Sequence, residues 1–126
     1  QTDTDAGLYS FGWPGARPVV GDWNADNYDD IGVYQNGIVN GAVANQTGHN
    51  NVSAIGQDGI DNYGETYQNG DNNAAGVGQF GNNHNSFLSQ DGSGNVAAGV
   101  QVGNGCNAGV AQTGAGNVAA FVQACP

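Results

Sequence analysis

Gln90-Asp-Gly-Ser-Gly-Asn-Val-Ala-Ala-Gly-Val-Gln101 is echoed by Gln112-Thr-Gly-Ala-Gly-Asn-Val-Ala-Ala-Phe-Val-Gln123. These two stretches show the frame of an internal repeat. Gln recurs every eleven residues, at Gln35, Gln46, Gln57, Gln68, Gln79, Gln90, Gln101, Gln112 and Gln123. Two residues after each of the first eight stands a Gly, from Gly37 to Gly114. Five residues after the Gln comes Asn40, Asn51, Asn62, Asn73, Asn95 or Asn117, with His84 and Cys106 in the two remaining places. The seventh position is always Ala, Ser or Gly, and the ninth varies from Gly99 to Leu88 and Phe121.

An eleven-residue period also suits a right-handed coiled coil. A Gly in every unit opposes that, since each costs a helix about 1 kcal/mol. From the Asn to the next Gln the frame positions alternate, which is the period of a strand. Gly-x-x-Asn then reads as a turn, with Gly permitting positive φ and Asn tolerating it. The expectation is an all-β chain: a two-sheet β-solenoid, or cross-β stack, built from 11-residue strand-turn units, two per coil. Residues 29–126 form this solenoid and residues 1–28 an irregular segment.

Charge placement agrees with this frame. After Gln35 the acidic residues are Asp58, Asp61, Glu65, Asp71 and Asp91, and none takes an inward position. An unpaired buried carboxylate is too costly to retain. Buried Gln and Asn need partners too. Stacking supplies them if each amide donates to its equivalent in the next coil. Low hydrophobicity with high net charge would otherwise suggest disorder, but disorder needs no fixed inward positions.

The pattern Q-x-G-x-x-N-x-A-x-x-x-Q resembles the curlin repeat of the curli functional amyloids, over about residues 29–126. The resemblance implies a secreted, extracellular subunit of amyloid-like biofilm fibres, with itself as partner. Two departures are that every unit here begins with Gln and that Arg17 is the sole basic residue. The alternative function is a monomeric secreted solenoid that binds ice or acts as an adhesin. That reading wants a uniform outward array, whereas Val52, Tyr63, Ala74, Asn85 and Val96 differ.

The stretch Pro18–Tyr34 resembles the calcium loops of FG-GAP and integrin-like repeats. Asp22, Asn24, Asp26 and Asp30, with the carbonyl of Tyr28, provide the oxygen ligands that calcium takes. Asn27 replaces the usual Gly. Calcium is the one cofactor suggested, and an acidic turn without an ion is the other reading. Ile31–Gln35 fits the repeat frame with Ile31 and Val33 inward.

The formal net charge of −10 opposes nucleic acid as a partner. No apolar run is long enough to span a bilayer, so no membrane insertion is expected. The start at Gln1 reads as a mature form after removal of a signal peptide. The two cysteines fit one disulfide in an oxidising compartment. Cys106 holds an Asn position and Cys125 a Gly position one coil later, so a bridge between them would staple the C-terminus. No catalytic set emerges, and the chain reads as a non-enzyme. His84 belongs to the Asn column and His49 to a turn, and two lone histidines make no zinc site. The sequons at Asn45 and Asn51 are coincidental to the frame.

Subunits are expected to stack head to tail, the last strand near Val118–Gln123 meeting the next copy's N-terminal coil. Sorting outward residues by sheet gives one face of Val, Ala and Gly around Val52, Ala74, Val96 and Val118, with no charge. The other face carries Tyr63, Glu65, Tyr67 and Asn85. The aromatic stretch Tyr9–Trp23 is expected to cover the apolar face, or two fibres to pair through it.

Overall fold

A computed structural model describes residues 30–126. Asp22, Asn24, Asp26 and Tyr28 lie outside the described residues, as do Tyr9–Trp23 and the side chain of Ile31. Asp30 opens the first strand. Nine strands follow in chain order: β1 (Asp30–Ile38), β2 (Gly41–Thr47), β3 (Val52–Ile60), β4 (Tyr63–Asp71), β5 (Ala74–Asn82), β6 (Asn85–Ser93), β7 (Val96–Asn104), β8 (Asn107–Ala115) and β9 (Val118–Ala124). There is no helix among the described residues. Odd strands form one sheet, β1-β3-β5-β7-β9, and even strands another, β2-β4-β6-β8. Every pairing is parallel and offset by one 22-residue coil, so Gln35 stands over Gln57 and Gln46 over Gln68. The chain is therefore a two-sheet β-solenoid.

The core lies between the sheets. Val33, Ile55, Val77 and Leu88 are buried in it, together with Ala44, Ala75 and Ala97. Small positions of one sheet meet larger side chains of the other. A Cβ on Gly64 would come within 2.9 Å of Ile55, and the hydroxyls of Ser53 and Thr66 bond across the gap. Matching also runs along the stack. A Cβ on Gly99 would sit 2.1 Å from the ring of Phe121, which fills the space above it.

The turns differ from the sequence expectation. Except after β2, which ends at Thr47, the strand runs on through the repeat Gly, and two residues such as Asp61 and Asn62 make the corner. The repeat Gly has φ between 105° and 133°, and a second positive φ, 57° to 69°, falls on the residue before the Asn position. That second column is Val39, Asn50, Asp61, Asn72, Asn83, Gly94, Gly105 and Gly116. Asn of the repeat is thus not the left-handed residue; its neighbour is. The repeat Gly is required twice over. Besides its φ, a Cβ on Gly59 would stand 1.8 Å from the carbonyl oxygen of Gly81 in the next coil.

Longer strands also extend each outer face. The residue after the Gln now points outward on the same sheet. Asp58 therefore joins the face expected to lack charge, in one column with Phe80 and Val102.

Val39 alone in its column is β-branched, with φ 61°, and it is 73% exposed. A left-handed L-residue costs about 1–2 kcal/mol, and Asn bears it best. Val39→Asn is expected to stabilise the chain by about 1 kcal/mol, raising Tm by about 4–8 °C for a domain of this size. A thermal melt unchanged from the parent would contradict this account of the corner.

Candidate functional site

The positions that repeat most strictly build two kinds of polar column. Gln35, Gln57, Gln79, Gln101 and Gln123 rise through the five-stranded sheet, and Gln46, Gln68, Gln90 and Gln112 through the four-stranded one. Each Nε2 donates to the Oε1 one coil later, at 2.8 Å for Gln57 to Gln79 and 3.2 Å for Gln101 to Gln123. From Gln57 to Gln112 the second N–H crosses the core. Gln57 donates to the Gly41 carbonyl, Gln68 to Val52, Gln79 to Tyr63, Gln90 to Ala74, Gln101 to Asn85 and Gln112 to Val96. From Gln57 to Gln101 both amide hydrogens are thus used, one along the stack and one between sheets. The crossing bond was not foreseen from the sequence, because a repeat period carries no information on which strand faces which across the core.

The Asn column works differently from the expected side-chain ladder. Asn62 Oδ1 accepts the backbone N–H of His84, and Asn62 Nδ2 donates to the carbonyl of Gly81. Asn40, Asn51, Asn73 and Asn95 likewise accept an N–H one coil later and donate to a Gly carbonyl. From Asn40 to Asn95 the side-chain amide is committed to those backbone groups and not to its equivalent 22 residues later. It satisfies the corner backbone instead, which buried peptide groups require. Asn117 stands in the last described turn and bonds back to Asn95 and Thr113.

His84 preserves this pattern with a ring. Its Nδ1 accepts the Cys106 N–H at 3.1 Å, and its Nε2 lies 3.2 Å from the Phe80 carbonyl. Nε2 therefore carries the proton. Cys106 and Cys125 are joined as a disulfide with Cα atoms 5.7 Å apart. Their separation, 19 residues, equals that of each Asn-to-Gly hydrogen bond in the lower coils. The bridge replaces that bond covalently in the last coil, and closing a loop of this length contributes about 3 kcal/mol.

The exposed polar groups lie elsewhere. His49 is exposed and its N–H bonds Asp71. Tyr63 donates to Glu65 at 3.0 Å on the outer face of the four-stranded sheet. Partial burial first, then that bond and the carboxylate charge, raise the phenol above its ordinary pKa. Among the described residues no group of three or more His, Cys, Asp or Glu is placed to hold a metal.

The edge completes the site. Among the described residues β9 pairs with β7 alone and β8 with β6 alone. Gln112 and Gln123 end the two columns with no glutamine described above them. Among the described residues Gly114 is the one repeat Gly whose added Cβ meets nothing closer than 3.7 Å, because no described backbone lies over it.

Two substitutions separate a satisfied amide from an unsatisfied hydroxyl. Gln90→Leu removes the acceptor of Gln68 and the donor to Gln112 and Ala74. It is expected to cost about 3 kcal/mol, since each orphaned buried group costs about 1–3. Ser86 Oγ is buried with no hydrogen-bond partner. Ser86→Ala is expected to stabilise by about 1 kcal/mol. Denaturant titration of both variants checks the pair; equal effects would remove the distinction.

Residues 60–92, from the end of β3 into β6, match the family model of the curlin associated repeat. No curated protein matches the chain.

Proposed function

We propose that this chain is a structural subunit of a secreted, extracellular amyloid-like fibre of the biofilm type, with copies adding head to tail along the solenoid axis. The observation that carries the reading is the pair of one-directional glutamine columns, which repeat the same vertical link from coil to coil. A parallel strand edge is a template for another strand. The curlin-type match over residues 60–92 supports the same reading.

The glutamine columns give the stack a direction. From Gln35 to Gln101 each Nε2 donates toward the C-terminal end, and from Gln57 to Gln123 each Oε1 accepts from the N-terminal side. A copy arriving with its own C-terminal end would set N–H against N–H. A copy arriving with β1 over β9 continues donor to acceptor. Self-association is therefore polar, and its specificity comes from the amides more than from apolar area.

Gly114 separates stacking from the clash between coils of one subunit, since an Ala there bears only the local strain of its φ of 105°. Backbone seated on β8 in the geometry of the lower coils brings a carbonyl to about 2 Å from a Cβ at residue 114, as Gly114 itself does to Gly92 at 1.9 Å. Purified chain is expected to form fibres with reflections near 4.8 and 10 Å. Gly114→Ala is expected to keep the folded circular dichroism spectrum and to slow elongation at least tenfold. Gly92→Ala, which clashes within the subunit, is expected to unfold the chain. Parent protein that stays monomeric at high concentration, or Gly114→Ala that elongates normally, would refute head-to-tail stacking.

Calcium on Asp22, Asn24, Asp26, Asp30 and the Tyr28 carbonyl is a separate part of the proposal. Alternating Asp and Asn oxygens supply a hard-ion ligand set. Titration calorimetry is expected to register uptake of one ion below millimolar calcium, and no heat would leave an acidic turn.

A further inference from the structure

Beyond stacking, we propose that the outer face of the five-stranded sheet is a contact surface for a second copy of this chain, packed face to face. The patch centres on β7 and β9. Val96, Ala98 and Val100 point outward from β7, and Val118, Ala120 and Val122 repeat them in register from β9. Val118 and Val122 are 77% and 80% exposed. Two adjacent strands thus present one Val-Ala-Val row twice. Short, β-branched, identical rows interdigitate with a copy of themselves to form a dry interface. A two-fold axis makes such a contact closed, because one patch serves both partners.

Area and charge choose this occupant. The whole outer face of the five-stranded sheet, Asp58 included, measures about 700 Å² per copy at about 4.8 Å per strand and about 3.3 Å per residue. Stable interfaces bury about 800 Å² per partner. The chain carries a formal charge of −10, so copies meet at least cost where carboxylates are sparse. Glu65, Asp71 and Asp91 stand on the other sheet. Asp58 lies within this face on β3, and Asp30 of β1 stands in register with Val52, so the strands of this sheet without a carboxylate are β5, β7 and β9. The N-terminal segment suits the face less well. It holds Asp3, Asp5, Asp22, Asp26 and Asp29, five of the chain's eleven acidic residues, and covering the patch with it would desolvate carboxylates.

The pairing does not depend on stacking, and the test keeps them apart. The full chain with Gly114→Ala serves as the background, so that axial growth is suppressed. Sedimentation velocity across 1–100 µM is expected to give a dimer. Val100→Asp with Val122→Asp is expected to weaken it at least tenfold, and the near-isosteric Val100→Thr with Val122→Thr to weaken it less. Parent fibres are expected to have twice the mass per length of a single solenoid, and fibres with the double Asp change to have half the parent value. A monomer throughout, or a dimer indifferent to both pairs of changes, overturns the proposal. Trp13 and Trp23 are the only tryptophans and both precede β1. A red shift of their emission on Val100→Asp, in a chain that is monomeric throughout, would assign the face to residues 1–29 and overturn it as well. Loss of fibres in the parent with the dimer intact would instead count against stacking alone.

Discussion

A glutamine amide sealed between two sheets must find partners for two N–H groups and a carbonyl oxygen. Leaving any of them bare costs about 1–3 kcal/mol. In this solenoid all of these are met from Gln57 to Gln90 only when coils stack at a 22-residue offset. A slip of one residue turns every Gln to solvent and every outward residue to the core. A slip of eleven puts a strand in the wrong sheet. The amide column therefore fixes the register, and the register fixes the placement of Asn, Gly and the apolar residues. Few apolar contacts are needed to define the fold, which suits a core made largely of Ala, Ser, Gly and single larger side chains.

The other columns adapt to that frame. At the corners, Asn sends its amide to backbone groups, and a histidine or a disulfide can take the same place because each supplies the same vertical link. His84 offers a ring nitrogen to an N–H, and Cys106 offers a covalent bond across the distance the Asn amide spans elsewhere. Within the sheets, loss of a side chain at Gly99 is offset by the ring of Phe121 one coil away. The column is thus conserved in function and not in residue type.

Much of this was legible in the sequence because the constraint is periodic. The nine Gln positions gave two parallel sheets, their order and the 22-residue coil, and Cys106 and Cys125 could be placed on one edge from their slots. What escaped was not periodic in the same sense. The left-handed corner residue was assigned to Asn, though the preceding column of Asn, Asp and Gly already carried the signal in residue types that tolerate positive φ. The Asn hydrogen bonds were assigned to side chains because the frame gives positions and not reach. Asp58 entered the apolar face because strand length, unlike register, depends on how far the ladder continues past the Gly. The Gly99–Phe121 match needs the vertical neighbour to be considered together with each residue, not each slot by itself.

Charge sets a final condition on how such subunits can associate. The described coils rise about 21 Å at about 4.8 Å per coil. A fibre built by stacking would carry its formal −10 in that length. Duplex DNA, with one charge per about 1.7 Å, carries about 12 in the same length. Repulsion of that order falls off over a Debye length of about 10 Å at 0.1 M salt, so it opposes side-by-side contact more than it opposes closure of an amide bond at the end of the stack. Axial addition can rely on directed hydrogen bonds and backbone pairing. Lateral contact can rely only on a surface on which carboxylates are few. Glu65, Asp71 and Asp91 stand on one sheet, and the other keeps its Val-Ala-Val rows on β7 and β9, with β7 two strands from Asp58, so the same repeat serves both requirements.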